Sequence, residues 1–66
     1  MWGENNMNKI EEVRKSMGVS RYKLAKRSGV SYKLLWEYEK EKRDPSLATL
    51  RKIAKALGVT VQEVVW

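Results

Sequence analysis

GVSRYKLAKRSGVS, at residues 18–31, is the stretch of sequence that decides the fold. The triplet Gly-Val-Ser stands at both of its ends, and Gly58-Val59-Thr60 repeats the pattern later in the chain. Gly is favoured at the left-handed residue that follows a helix, and Ser or Thr caps a helix by accepting a hydrogen bond from a free backbone N–H. Each triplet therefore predicts the end of one helix and the beginning of the next.

The same signals, together with the spacing of apolar residues, predict an all-α fold of five helices and no strand. Pro45-Ser46 after Asp44 marks one more helix start, and Thr60 with Glu63 forms a capping-box pattern. The predicted helices span residues 8–17, 21–28, 32–40, 47–57 and 61–66, so residues 8–66 form one domain after a flexible tail at 1–7. Apolar residues at helical spacing predict a core of Ile10, Val13, Met17, Leu24, Ala25, Leu35, Tyr38, Leu47, Leu50, Ile53, Ala54 and Leu57.

The joint between the second and third predicted helices is very short. Only Gly29-Val30-Ser31 separates them, so the two helices must cross at a steep angle. The small side chain of Ala25 allows a close approach. This arrangement is a helix-turn-helix, whose second helix is free to lie in the major groove of DNA.

The charge is strongly positive and unevenly placed. The 66 residues include 14 Lys+Arg and 8 Asp+Glu, which gives a net charge of +6. Residues 14–36 contain many bases and no acid, whereas residues 37–66 are nearly neutral. A local basic field of this kind attracts polyanions such as nucleic acid, although it also suits a merely solvated surface.

The composition argues against an enzyme and against a metal or cofactor site. There are no cysteines and no histidines, which removes disulfides, thiolate ligands, the commonest metal ligand and the commonest general base. No spacing among the remaining side chains suggests a nucleophile beside a base. We find no apolar run of membrane-spanning length and no signal peptide, so we expect a soluble, cytoplasmic protein.

Several short stretches follow one another in a characteristic order and spacing. They are Val19-Ser20 through Leu24-Ala25, Gly29-Val30-Ser31, Glu39, Pro45-Ser46-Leu47 with Thr49-Leu50, and Ile53 through Val59. In these stretches the chain resembles the phage Cro and lambda-type repressor family, also called the XRE-like family, and the resemblance covers about residues 8–65. The order and spacing of so many features make this resemblance specific.

This resemblance implies a compact five-helix fold and sequence-specific binding of double-stranded DNA by a transcriptional repressor, usually as a dimer on a palindromic operator. It implies a structural ion pair between Arg14 and Glu39, which ties the first helix to the end of the third. It places Tyr32, Lys33 and Glu37 where bases are read. The expected phosphate contacts, to which we add the helix-starting serines, are Ser20, Arg21, Ser31, Lys40, Lys42 and Arg43.

Helical geometry independently places Tyr32, Lys33, Trp36 and Glu37 on one face, because they stand at i, i+1, i+4 and i+5. Lys33 can donate to guanine O6 or N7, and Glu37 can accept from cytosine N4. Tyr32 can bond a base edge or a phosphate. Trp36 either packs against sugars and thymine methyls or anchors a protein interface.

Three questions stay open at this point. Glu41 stands where the family often has Gly, so the third helix either runs longer or ends in a strained turn. The C-terminal apolar residues either close the core or form a homodimer interface, and they are Val61, Val64, Val65 and Trp66. The alternative function is a protein-interaction module or an antitoxin, which would bind a partner protein through the face that carries Leu34 and Trp36.

Overall fold

A computed structural model describes residues 8–65 of the chain, and these residues fold into five helices. The helices are α1 (Ile10–Ser16), α2 (Arg21–Ser28), α3 (Tyr32–Glu39), α4 (Leu47–Leu57) and α5 (Val61–Val64). Residues 8–65 contain no strand, only an isolated antiparallel bridge between Asn8 and Val65. The prediction of an all-α, five-helix fold is therefore confirmed. The predicted tail at residues 1–7 and the predicted interface residue Trp66 lie outside the described residues.

The helices begin and end where local hydrogen bonds satisfy free backbone groups. Three of them start with a serine whose hydroxyl accepts a hydrogen bond from the backbone N–H three residues later. Gly29 ends α2 with φ 76°, and Gly58 ends α4 with φ 75°. These values favour glycine, because a Cβ strains that conformation. The serine caps are Ser20 on Lys23 at 3.0 Å, Ser31 on Leu34 at 3.1 Å and Ser46 on Thr49 at 3.1 Å.

The five helices pack in a closed ring around one core. Helix α2 packs against α3 on one side and α4 on the other, α1 packs against α3 and α5, and α4 packs against α5. Helices α1 and α2 therefore cover the inner face of α3 and leave its outer face in solvent. The buried apolar residues are Ile10, Leu24, Val30, Leu35, Tyr38, Ile53, Ala54, Leu57 and Val64.

Two of the predicted core residues are wrong, because the apolar stripe continues past the part of the helix that a neighbour covers. Met17 is 48 % exposed and Leu47 is 54 % exposed. Met17 follows the last residue of α1, where the chain turns away at Gly18. Leu47 is the first residue of α4. Ala25 is only partly buried at the edge of the core.

The first and last predicted helices are shorter than expected, because their ends pair with each other. The Lys9 backbone N–H donates to the Val64 carbonyl at 2.8 Å. The buried Asn8 side chain donates to the Tyr38 carbonyl at 3.1 Å and accepts from the Ile10 N–H at 3.0 Å. Residues 8 and 9 therefore serve as a clasp between α3 and α5. As a result, α1 begins at Ile10 and α5 ends at Val64.

Helix α3 ends in the strained turn, which settles the first of the open alternatives. Glu41 has φ 60°, the left-handed conformation that glycine adopts without strain. The Glu41 N–H donates to the Tyr38 carbonyl at 3.1 Å, and the Lys42 N–H donates to the Glu37 carbonyl at 2.8 Å. This pair of bonds is a Schellman motif, a common helix ending that normally has glycine at the left-handed residue.

We expect Glu41→Gly to stabilise the protein by about 1 kcal/mol, because it removes the Cβ from a left-handed residue. A gain of that size should raise the melting temperature by roughly 4–8 °C in a domain this small. Thermal unfolding followed by circular dichroism measures it. Glu41→Ala is the matched control, since it removes the carboxylate but keeps the Cβ. An equal gain in both variants would mean that charge, and not backbone strain, governs this position.

Candidate nucleic-acid interface

The outer face of α3 presents a group of exposed side chains. Tyr32, Lys33 and Trp36 are exposed, whereas Leu35 and Tyr38 on the opposite side are buried in the core. Helical spacing places the three exposed side chains next to each other on the first turns of the helix. Together with the partly buried Glu37, they form a surface that the rest of the described chain leaves open.

Lys33 carries a charge that no other side chain of the described residues compensates. Within residues 8–65 it forms no ion pair and no hydrogen bond through its side chain, and it is exposed. Its ammonium group therefore keeps its full charge and all three of its donors for an external acceptor. Such a group suits a guanine edge or a phosphate oxygen.

A buried ion pair fixes the orientation of α3 relative to α1. Arg14 and Glu39 are joined by two hydrogen bonds, from Nε to Oε2 at 2.8 Å and from Nη2 to Oε1 at 3.0 Å. Their side chains are 7 % and 0 % exposed. Arg14 also donates from Nη1 to the Val19 carbonyl at 2.9 Å, which holds the loop between α1 and α2. The two residues predicted as a structural pair thus lie together.

Arg21 extends this network towards the exposed face. Its Nε donates to Glu39 Oε1 at 3.0 Å, and its Nη1 lies 3.3 Å from the Tyr32 hydroxyl. The guanidinium carbon also lies 5.5 Å from the centre of the Tyr32 ring. Burial acts to lower the pKa of Arg21, but the hydrogen bonds to Tyr32 and Glu39 outweigh it and raise the pKa above its usual value. Arg21, predicted only as a phosphate contact, also links a buried carboxylate to the first residue of α3.

Glu11 gathers three cations at the rim of this network. Its carboxylate lies 3.2 Å from Lys15 Nζ, 3.9 Å from Lys40 Nζ and 4.0 Å from Arg21 Nη2. Partial burial acts to raise the pKa of Glu11, but the hydrogen bond from Lys15 and the charges of Lys40 and Lys15 outweigh it and lower the pKa below its usual value. Lys40, one of the predicted phosphate contacts, therefore stands beside a carboxylate.

The loop after α3 carries the remaining predicted phosphate contacts. Lys42 is exposed and has no side-chain partner within residues 8–65. Arg43 donates from Nε to Glu37 Oε1 at 2.9 Å. The structure therefore brings together a predicted base contact and a predicted phosphate contact. Ser20 and Ser31 cap α2 and α3, as described above, and their exposed positions at the two helix starts leave them open to a ligand.

The residues predicted for a dimer interface divide into two groups. Val64 is fully buried in the core, so it contributes no exposed surface. Val61 and Val65 are partly buried, and Val61 packs against the core. Any dimer surface at this end of the described chain is therefore carried by Val61 and Val65 and not by Val64.

Other kinds of site find little support in the described residues. The structure there brings no three carboxylate side chains close enough together to hold a metal ion. None of the helices in residues 8–65 has the length and apolarity needed to cross a membrane. The exposed start of α3 and the basic loop that follows the helix therefore form the candidate binding surface.

Comparison with known proteins agrees with the observed fold. The sequence model of a helix-turn-helix family matches residues 10–64. The chain is 33 % identical over 57 residues to the immunity repressor protein of Bacillus phage phi105. That alignment covers 86 % of this chain and 40 % of the phage protein. It is 39 % identical to an uncharacterized HTH-type transcriptional regulator of Methanocaldococcus jannaschii, with 86 % of both chains covered.

A solved structure supports the fold independently. The crystal structure of a hypothetical transcription factor from Neisseria superposes with a TM-score of 0.79 at 24 % identity, over 86 % of this chain and 66 % of that one. The chain spans only 40 % and 16 % of the length of the phage repressor and of a second archaeal regulator that it matches. Since the family match extends over most of the described residues, the chain belongs to the XRE-type helix-turn-helix family that its sequence resembles.

Proposed function

We propose that the protein is a sequence-specific double-stranded DNA-binding regulator of transcription, a repressor that acts in the cytoplasm as a dimer on a palindromic operator. The observation that carries this proposal is the exposed face at the start of α3, where Lys33, which has no partner within residues 8–65, stands beside Tyr32 and Trp36. The names of the relatives, a phage repressor and several transcriptional regulators, support regulation and not catalysis.

The helix pair suits the major groove. With α3 in the groove, its first residues face base edges, and the start of α2 lies near the DNA backbone. We assign Lys33 to guanine, because a lysine in the major groove donates to O6 and N7. Tyr32, held by Arg21, and Trp36 pack beside it on bases or sugars. The proposed phosphate contacts are Ser20, Arg21, Ser31, Lys40, Lys42 and Arg43.

In a two-fold dimer, the second protomer supplies the α3 helix that reads the second half-site of the operator. Two copies of α3 then enter successive major grooves, roughly 34 Å apart. Val61 begins α5 and Val65 follows it, and the main packing partners of α5 are α1 and α4 rather than α3. Val61 and Val65 therefore suit an interface that leaves both α3 helices free, and we propose that Trp66 joins it.

A partner protein is the alternative ligand for the same face. Leu34, which that alternative needs at the surface, is partly buried against the core. That leaves Trp36 as the main apolar contact, beside the cation Lys33. An apolar hot spot is normally a cluster in a well-packed pocket. We therefore prefer DNA, and the partner protein becomes an outcome of the experiment below.

The proposal is tested by selection from a pool of randomised duplex DNA at about physiological salt, followed by sequencing. We expect a palindrome with half-sites about ten base pairs apart, the spacing set by one turn of DNA. Enrichment of single half-sites would retain DNA reading and remove the dimer. Weak binding with no enriched sequence would refute sequence-specific recognition and favour a partner protein at Trp36.

We expect Lys42→Ala to weaken binding to operator and scrambled duplexes alike. Lys42 is exposed and has no side-chain partner among residues 8–65, so its full charge is available for one phosphate contact. Its loss should flatten the slope of log K against log salt by about 0.9. Fluorescence anisotropy at several salt concentrations measures the slope. Lys55→Ala is the matched control, because Lys55 is an exposed cation on α4, which α2 separates from α3. An unchanged slope in Lys42→Ala would show that the loop after α3 does not contact phosphate.

A further inference from the structure

The Schellman turn at the end of α3 folds the chain back so that Arg43 lies over the last exposed turn of the helix. The Lys42 N–H reaches the Glu37 carbonyl at 2.8 Å, and the next side chain, Arg43, donates from Nε to the Glu37 carboxylate at 2.9 Å. The Glu37 side chain is 18 % exposed and the Arg43 side chain 60 % exposed. Two residues with different expected DNA contacts are thus one ion pair in the free protein.

This pairing makes Arg43 unlike its neighbour Lys42. Lys42 offers an uncompensated charge to any phosphate, whereas the guanidinium of Arg43 already has a carboxylate against it. Binding to DNA of arbitrary sequence is driven almost entirely by phosphate neutralisation and counterion release. A phosphate that takes Arg43 from Glu37 leaves a carboxylate without a partner near a polyanion. Arg43 therefore contributes less to nonspecific binding than its charge suggests.

An operator can compensate for the broken pair. Glu37 lies on the face of α3 that we assign to the major groove, where a cytosine amino group can donate to a carboxylate. When such a base is aligned with Glu37, the carboxylate changes partner and Arg43 becomes free for phosphate. When no such base is present, Glu37 keeps Arg43, because no other donor replaces it.

We propose that Glu37 is a specificity-determining residue that acts through Arg43, by withholding the charge of Arg43 from DNA of the wrong sequence. This inference rests on the proposed DNA-binding function and adds a role for the ion pair. Its effect is to lower the affinity for nonspecific DNA and so to widen the gap between operator and other sequences. A carboxylate in this position is thus more than a direct base contact.

The test measures the affinities of four proteins and one control variant for the selected operator and for a scrambled duplex of equal length, across a range of salt. The proteins are the unsubstituted chain, Glu37→Gln, Arg43→Ala and the double variant. Glu41→Gln is the matched control, since it removes an equal charge close by from an exposed residue that has no ion pair in the described part of the chain. Circular dichroism verifies that every variant is folded at the assay temperature.

We expect Glu37→Gln to bind the scrambled duplex about 2- to 5-fold more tightly than Glu41→Gln does, the range of an exposed ion pair. Its salt slope on that duplex should steepen by about 0.9, because Arg43 becomes a phosphate contact. Both effects should vanish when Arg43 is already alanine. If Glu37→Gln matches Glu41→Gln on the scrambled duplex, or if its effect persists without Arg43, the inference is wrong and the proposed function stands. If the unsubstituted chain binds neither duplex, both are wrong.

Discussion

Replacing Glu39 with Gln should leave about half or more of the protein unfolded at room temperature. The Glu39 carboxylate is fully buried and accepts two hydrogen bonds from Arg14 and one from Arg21. Gln keeps the shape but removes the charge, and its amide turns a donor towards the guanidinium groups. Removing one partner of a buried ion pair costs about 3–5 kcal/mol. That loss is as large as the whole stability of a core this small, which is about 3–5 kcal/mol.

Urea unfolding followed by circular dichroism at the helix band measures this loss. Glu12→Gln is the matched control, because Glu12 lies exposed on α1 with no ion pair among the described residues. A surface substitution of that kind should shift the free energy of unfolding by less than about 0.5 kcal/mol. A loss below about 1 kcal/mol in Glu39→Gln would contradict the structural role of the pair, since a buried charge left alone costs several times more.

Replacing both Arg14 and Glu39 separates two causes of instability, namely a buried charge without a partner and the loss of side-chain packing. The double variant Arg14→Met with Glu39→Leu removes both charges of the buried pair. The guanidinium of Arg21 stays partly buried, but it can still pair with Glu11. Apolar replacement of an entire buried pair is often neutral or stabilising. The double variant should therefore be more stable than Glu39→Gln. If it is equally unstable, the packing of these side chains and not their charge holds α1 to α3.

The parts of the fold that follow from nearby residues could be predicted from the sequence. Each serine cap joins residues three apart, and each glycine ending depends on one residue, so both are visible in a short window. The clasp is different, because Asn8 contacts Tyr38 at a separation of 30 residues. No pattern within a short stretch of sequence predicts a contact between residues so far apart. The apolar stripes that include Met17 on the first predicted helix and Leu47 on the fourth indicated the inner face of each helix, but they could not reveal where the neighbouring helices stop covering it.

The candidate site also has features that could be predicted from nearby residues and features that could not. Helical spacing was enough to place Tyr32, Lys33 and Trp36 on one face, because that face depends only on α3. The ion-pair partners were not predictable from spacing, since Arg21 meets Glu39 from another helix and Arg43 meets Glu37 across a turn. The sequence contained one signal for that turn. Glu41 stands at a position where glycine is common, and among residues 8–65 it is the one residue other than glycine with positive φ.

Replacing Lys33 with Ala should relax the sequence preference and weaken operator binding about 5- to 150-fold, which corresponds to the ~1–3 kcal/mol of a base contact in the major groove. Lys33 is exposed on α3 and has no partner among the described residues, so it loses nothing internal when it binds a guanine. For the same reason its removal should not change the stability of the fold. The effect on operator affinity is then a direct measure of the contact.

Repeating the selection with Lys33→Ala tests this assignment position by position. One base pair in each half-site should lose its preference, while the remaining positions stay unchanged. Lys52→Ala, which removes an exposed cation from α4, is the matched control and should keep the full motif. Uniform weakening on all duplexes, with a salt slope flatter by about 0.9, would move Lys33 to the phosphate contacts. An unchanged motif with unchanged affinity would refute the major-groove assignment of this face, because the unpaired cation at its centre would then not touch DNA.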